Sequence, residues 1–278
     1  ELAVFDDMTR AERQLAGAIL ENYPVSGLGS ITRLAEAAGV STPTVARMVQ
    51  KLGYAGFADF QAALRADLEA RISNPIAKHE SWSEAAPQEH ILNRFPEVVI
   101  GNIRQTLAQI DPAEFDAAAR CLAEAPSVFV TGGRITHALS EYFHLHMQVI
   151  RRGVRHIRAT MNTWPHELLD MAEGDALLIY DIRRYENTSL RLAEMAAERG
   201  ARIVLITDQW QSPIRTLSEV ALSCRIEAPS AWDSTVALML MSETLIAAVQ
   251  EQVWDSTRDR MSELEGMFDK TGIFRKFV

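Results

Sequence analysis

Two groups of residues in this chain have the types and spacing to do chemistry. The first is Ser41, Thr42, Thr44, Arg47, Gln50 and Lys51, within the run GVSTPTVARMVQKLG. Val45, Met48, Val49 and Leu52 recur there at helical spacing, so turning them inward leaves the polar set on the opposite face. No residue from 40 to 58 is acidic. Short hydroxyls and an amide can hydrogen-bond base edges or phosphates. Arg47 can engage a guanine edge with two parallel bonds, and Lys51 suits a phosphate. Such a face fits a major groove; the plainer alternative is a helical hairpin with a solvated side.

The second group lies in two loops, Gly132, Gly133, Arg134 and Thr136 in TGGRIT and Arg183, Arg184 and Tyr185 in DIRRYENT. Each loop follows a short apolar run rich in β-formers and leads into a helical stretch. Exposed amides at such a junction favour an anion. Guanidinium groups add bidentate, permanently charged donors. The alternative is that the arginines pair with Glu186 or other carboxylates. Tyr185, with Trp164 and Trp232, suits a pocket wall or the core equally well.

Other chemistries fit poorly. His144 and His146 stand two apart and point in different directions on a helix, and His137 and His144 lie two turns apart, so no metal site is expected. Asp170, Glu173 and Asp175 fall in a polar turn that solvation explains. No nucleophile elbow, phosphate loop or complete dinucleotide fingerprint occurs, so neither a catalytic residue nor a cofactor is assigned. Cys121 and Cys224 sit far apart in apolar contexts and read as buried thiols.

The elements that must position these residues follow from the hydrophobic pattern. Over 278 residues, 47% hydrophobic and 23% charged is ordinary globular composition and allows two domains. The net charge of −9 excludes a general nucleic-acid coat. Residues 1–70 carry six Lys or Arg against nine Asp or Glu, so favourable charge is confined to the proposed reading face and two copies per site are expected. Residues 9–23 read as a helix opened by a capping box of Thr9 and Glu12. Residues 31–38 form a second helix stopped by Gly39. Ser41 caps a third, with Pro43 tolerated in its first turn. Tyr54, Phe57 and Phe60 start a fourth, as core props.

Residues 71–96, with Asn74-Pro75, Pro87 and Pro96, read as a linker, followed by helices over 97–110 and 112–124. Beyond residue 127 the runs 128–130, 154–158, 175–180, 202–207 and 220–223 read as strands. Helices over 136–150, 186–199 and 232–254 separate most of them, which indicates a parallel sheet covered on both faces. Ligands in such sheets sit beyond the carboxyl ends of the strands, where both loops fall. The expected domains are 1–70, a helix-turn-helix; 71–110, a linker with a helix; and 111–278, an α/β domain. The most apolar run, 236–249, is broken by Ser242, Glu243 and Thr244 and is shorter than the roughly 20 residues a bilayer span needs. With no basic-then-apolar opening segment, cytoplasm is the expected compartment.

The first third, through SITRLAEAAGVSTPTVARMVQKLGYAGFADFQAAL, resembles the DNA-binding domain of the RpiR family of bacterial transcription regulators, and the remainder resembles their sugar isomerase (SIS) domain. The resemblance implies a homodimer or homotetramer that reads an inverted-repeat operator on double-stranded DNA under control of a small anionic metabolite, typically a sugar phosphate. The loops depart from the pattern. Gly132 keeps the first glycine of GxGxS, Arg134 replaces the second, and Thr136 stands for the serine. In place of Ser, Ser, Gly and Thr of SxSGxT stand Asp181, Arg183, Arg184 and Glu186. Either the arginines grip an anion in a new way or they fill the old pocket and the domain only pairs chains; the gain of cations favours a ligand. A sugar-phosphate isomerase or lyase on the same fold is the rival reading, and it lacks a placed general base.

Overall fold

The computed structural model describes residues 8–21, 25–72, 90–158 and 163–274. The chain divides into two compact units, Glu1–Glu80 and Ser81–Val278.

The first unit is helical: α1 (Arg10–Glu21), a short 3-10 turn (Val25–Gly27), α2 (Ile31–Ala38), α3 (Thr42–Lys51) and α4 (Phe57–Ile72). The capping box forms, with the Thr9 amide donating to Glu12 Oε2 at 2.7 Å and the Glu12 amide to Thr9 Oγ1 at 3.3 Å. Gly39 ends α2 in the left-handed conformation, φ 64°, where a side chain would be strained. Leu15, Leu34, Val45, Met48, Val49, Phe60 and Leu64 close one core, and Tyr54 packs edge-on to Phe60 at 5.2 Å.

Two local expectations change. The Ser41 hydroxyl makes no bond to a helix amide. It lies 2.9 Å from Thr44 Oγ1, and the Ser41 carbonyl accepts from the Thr44 and Val45 amides instead. Leu52 is 39% exposed rather than inward, because α3 ends at Lys51 and the chain turns away from the core face.

The second unit begins with α5 (Ile91–Gln109) and α6 (Pro112–Glu124). The remaining order is β1 (Val128–Gly132), α7 (His137–Ile150), β2 (Val154–His156), α8 (Trp164–Leu169), β3 (Ala176–Asp181), α9 (Asn187–Glu198), β4 (Arg202–Asp208), a 3-10 turn (Pro213–Thr216), β5 (Val220–Cys224), α10 (Val236–Gln252) and α11 (Trp254–Thr271). The helix expected at 97–110 starts at Ile91 and carries Pro96 inside it. Side chains fasten it to this unit: Asn102 Nδ2 donates to the Glu227 carbonyl at 2.6 Å and Thr106 Oγ1 accepts from the Arg225 amide at 2.9 Å. Most of the segment read as a linker, including Asn74-Pro75 and Pro87, lies outside the described residues.

All strand pairs are parallel, in the order β2-β1-β3-β4-β5. Phe129, Leu177, Ile179, Ile203 and Leu205 share one core cluster with Leu192, Ala193 and Ala196 of α9. The alternate residues face the other way, as the two-residue period of a strand requires. On that side the Tyr180 hydroxyl meets Ser242 Oγ of α10 at 2.7 Å. Both faces are therefore covered. The helix expected over 232–254 is α10, which starts at Val236, and the unexpected α11 follows it after a 101° bend. Among the described residues no single helix is long and apolar enough to cross a membrane. The apolar α10 buries Ala237, Leu238, Met241, Leu245 and Val249 in the α/β core.

Candidate nucleic-acid interface and effector crevice

The turn at Gly39 and the core side of α3 fix the direction of the reading face. With Val45, Met48 and Val49 buried, Arg47 and Gln50 are exposed and Thr42 and Thr44 half-buried on the other side. Ser41 is exposed at the start of the helix. Lys51 is exposed too, and its Nζ lies 3.3 Å from Glu12 Oε2. The ammonium thus begins in an ion pair with α1 that a phosphate would have to share, a modest competitor at an exposed position. The Glu12 carboxyl is held below its usual range, first by the Thr9 amide and also by Lys51.

The second group is brought together by topology. β1 lies between β2 and β3, so the chain leaves β1 and β3 toward opposite faces and opens a crevice at their carboxyl ends. TGGRIT and DIRRYENT border it. The strands run further than expected, through Gly132 and Asp181, and carry the first residues of both motifs. Gly132 is required by a close approach, since a Cβ there would stand 2.6 Å from the Thr136 carbonyl oxygen. Thr136 is turned inward: it is buried and donates to the Tyr180 carbonyl at 3.2 Å, bracing the loop against β3 instead of facing a ligand.

The arginines differ in surroundings. Arg183 is largely buried, its guanidinium 4.1 Å above the Trp210 ring and its Nε 3.3 Å from Asp233 Oδ2 in an ion pair without hydrogen-bond alignment. Burial lowers its pKa, which Asp233 and Asp208 oppose. Arg184 is exposed and holds φ 63°, a left-handed conformation that costs a non-glycine residue on the order of 1 kcal/mol. Arg134 is exposed, with its amide 3.2 Å from Glu186 Oε1. Tyr185 is half-buried and donates to Asp208 Oδ1 at 2.6 Å; burial, then the Asp208 charge, pushes its phenol far up.

Under these loops lies a carboxylate floor, of which the DIRRYENT motif reveals Asp181 but not Asp208. Asp208, at the end of β4, is fully buried and accepts from the Arg183 amide at 2.6 Å and the Trp210 amide at 3.0 Å, besides Tyr185. Burial raises its pKa. Asp181 accepts from the Ser212 hydroxyl, and burial pushes its carboxyl up to about 7. The available signal was an acidic residue closing each of two apolar strands. On the far side of β1, His156 stacks against His144 at 5.4 Å and meets the tilted ring of His137 at 4.9 Å, with Ser140 Oγ 2.8 Å from its Nε2. Burial, then the neighbouring imidazoles, lowers its pKa to about 4. No group of three His, Cys, Asp or Glu among the described residues could hold a metal ion.

A family model described as a helix-turn-helix domain of the rpiR family matches residues 4–71, and a SIS domain model matches residues 121–248. The chain carries a helix-turn-helix domain of the rpiR family followed by a SIS domain. Solved structures share this fold over part or nearly all of the chain. The sugar isomerase domain of an RpiR transcription factor from Sphaerobacter thermophilus aligns with a TM-score of 0.61 at 20% identity, covering 64% of this chain and 99% of that one. The Vibrio vulnificus NanR protein, complexed with ManNAc-6P, aligns over 96% of this chain and 95% of its own, with a TM-score of 0.59 at 19% identity. A ligand-bound protein from E. coli CFT073 aligns with a TM-score of 0.53 at 13% identity, over 63% of this chain and 96% of that one. At these identities the likeness establishes a shared fold.

Proposed function

We propose that this chain is a cytoplasmic, non-enzymatic transcription regulator of the RpiR family that reads an inverted-repeat operator through α3 and responds to a small anionic metabolite at the β1/β3 crevice. The observation that carries the reading is α3 itself: Arg47 and Gln50 exposed, Thr42 and Thr44 beside them, and no acidic residue from 40 to 58. Arg47 is assigned to a guanine edge, Gln50 to a neighbouring base, Ser41, Thr42 and Thr44 to bases or phosphates at the helix start, and Lys51 to a phosphate. A single copy offers few phosphate contacts, so two copies act together, as a homodimer or within a homotetramer. Their symmetry sets half-sites about one helical turn apart or a multiple of it.

For the effector, the crevice offers the Arg134, Arg183 and Arg184 cations and the glycine backbone of residues 132 and 133. The complex of NanR with ManNAc-6P supports this assignment, since a relative on the same fold accommodates such a ligand. The effector works by favouring one arrangement of the chain, and its effect on operator affinity can be no larger than its preference between the two arrangements. The isomerase reading is weaker because Asp181, the acidic group poised near neutrality, is buried under Ser212 rather than presented to a substrate.

Thermal denaturation with a panel of acidic metabolites, followed by operator anisotropy with each hit, tests the proposal. A ligand that binds only the native state raises the melting temperature once its concentration exceeds its Kd. The same compound must then shift DNA affinity. Turnover of a sugar phosphate by the purified protein would replace the regulator reading with the enzyme.

A further inference from the structure

Glu186 occupies the N-cap position of α9, where an acidic side chain ordinarily turns back to accept from the first amides of its own helix. It makes no such bond. The side chain reaches across the crevice to a loop 52 residues earlier in sequence, where Oε1 accepts from the Arg134 amide at 3.2 Å and lies 3.7 Å from Arg134 Nε. Thr188 Oγ1 stands 3.4 Å from Oε2. A Cβ built on Gly133 would come within 2.9 Å of Oε1 and 3.1 Å of Cδ, so the missing side chain at Gly133 is what admits the carboxylate. Backbone amide, guanidinium and hydroxyl converging over a glycine is the donor set that proteins use for a soluble oxyanion. Here the oxyanion is part of the chain, and at 30% side-chain exposure it remains within reach of solutes.

We propose that Glu186 is a built-in anion, seated where the phosphate group of a phosphomonoester binds by displacing it. The inference rests on the reading of the crevice as an anion site, for which a sugar phosphate is already the expected ligand, and adds the tethered competitor. Displacement requires a group that outbids a tethered carboxylate for the Arg134 donors, which favours a phosphate dianion over a simple monocarboxylic acid. Apparent affinity is the intrinsic affinity reduced by the fraction of molecules with Glu186 swung away. Because Glu186 also stands at the head of α9, its release passes the binding event from the first loop to the second. Arg134 strengthens the seat and Glu186 guards it.

The test is calorimetric titration of inorganic phosphate into the full-length wild type, Glu186→Gln, Glu186→Ala and the double variant Arg134→Ala/Glu186→Gln at low ionic strength. Glutamine keeps the size and removes the charge, and alanine empties the seat, so the two variants check each other. The proposal predicts at least tenfold tighter phosphate binding by both single variants than by wild type, and loss of that gain in the double variant. Equal binding by wild type and both single variants, no binding by any of them, or a gain that survives Arg134→Ala would overturn it. Operator anisotropy on the same proteins separates this outcome from the broader reading. A wild type whose DNA affinity responds to no metabolite removes the effector, whereas the phosphate titrations alone decide the role of Glu186.

Discussion

Asp181 gives the α/β unit a pH dependence that one substitution removes. Its carboxyl closes β3 at 4% exposure, and burial raises its pKa to about 7 despite hydrogen bonds from Ser212 and the Glu186 amide. In the unfolded chain the same group titrates near the ordinary value of about 3.9. Between these values the native state holds a proton that the unfolded state has released. Stability therefore falls as pH rises through the interval and levels off above about 7. One proton of difference is worth about 1.4 kcal/mol per pH unit, so from pH 5 to pH 7 this group removes on the order of 2 kcal/mol. Asp181→Asn keeps an acceptor for Ser212 and abolishes the titration.

The assay is urea denaturation at pH 5, 6, 7 and 8 followed by tryptophan fluorescence. It reports the second unit because all five tryptophans lie at residue 82 or beyond. Taking the difference between wild type and variant at each pH cancels the contribution of carboxylates distant from residue 181; Asp208, whose charge helps raise the Asp181 pKa, is coupled to it and titrates as part of the same response. The variant should gain on wild type by on the order of 2 kcal/mol between pH 5 and pH 7, then hold that margin at pH 8. A difference that stays constant across the series would refute the assignment of a raised pKa to Asp181.

Three further substitutions probe how the α/β unit is held. The Arg151 guanidinium donates to the carbonyls of Leu122, Ala123, Ala125 and Pro126, closing the end of α6 and the turn into β1. Arg151→Ala should lower stability by about 2 kcal/mol by stranding these acceptors, read as a lower urea midpoint with an unchanged slope. Gly132→Ala should cost about 1–3 kcal/mol because its Cβ meets the Thr136 backbone. Gly101→Ala, in the interior of α5 with nothing within 4 Å of the added atom, should raise stability by about 0.5–1 kcal/mol. Equal midpoints for the two glycine variants would contradict the close-approach argument.

The parts of the fold that were readable share a cause: their signal is local. Gly39 and Ser41 punctuate α2 and α3, and five short apolar runs mark the sheet, because turn conformation and strand burial depend on a few neighbouring residues. The crevice loops were located by the rule that ligands gather at the carboxyl ends of parallel strands, and the strand order confirms a crossing point between β1 and β3. What escaped depends on contacts between distant residues. Nothing near Glu186 shows that it bypasses its own helix for Arg134. Nothing near Asp208 shows that Tyr185 and the Arg183 amide converge on it. Pro96 reads as a break, yet α5 runs through it because Asn102 and Thr106 fix the helix to the α/β unit. α11 lacked a clear apolar stripe, and only Thr257 is buried along it.

The central claim is that α3 reads DNA. The most direct measurement is selection of bound sequences from a random duplex pool by the full-length protein, in parallel with Arg47→Ala, at low salt where phosphate contacts are strongest. The account predicts that wild type enriches an inverted repeat. On that repeat Arg47→Ala binds more weakly by about 1–3 kcal/mol and loses preference at one base pair in each half-site. An unenriched pool for wild type, or an Arg47→Ala variant that selects the same repeat with the same affinity, would contradict it.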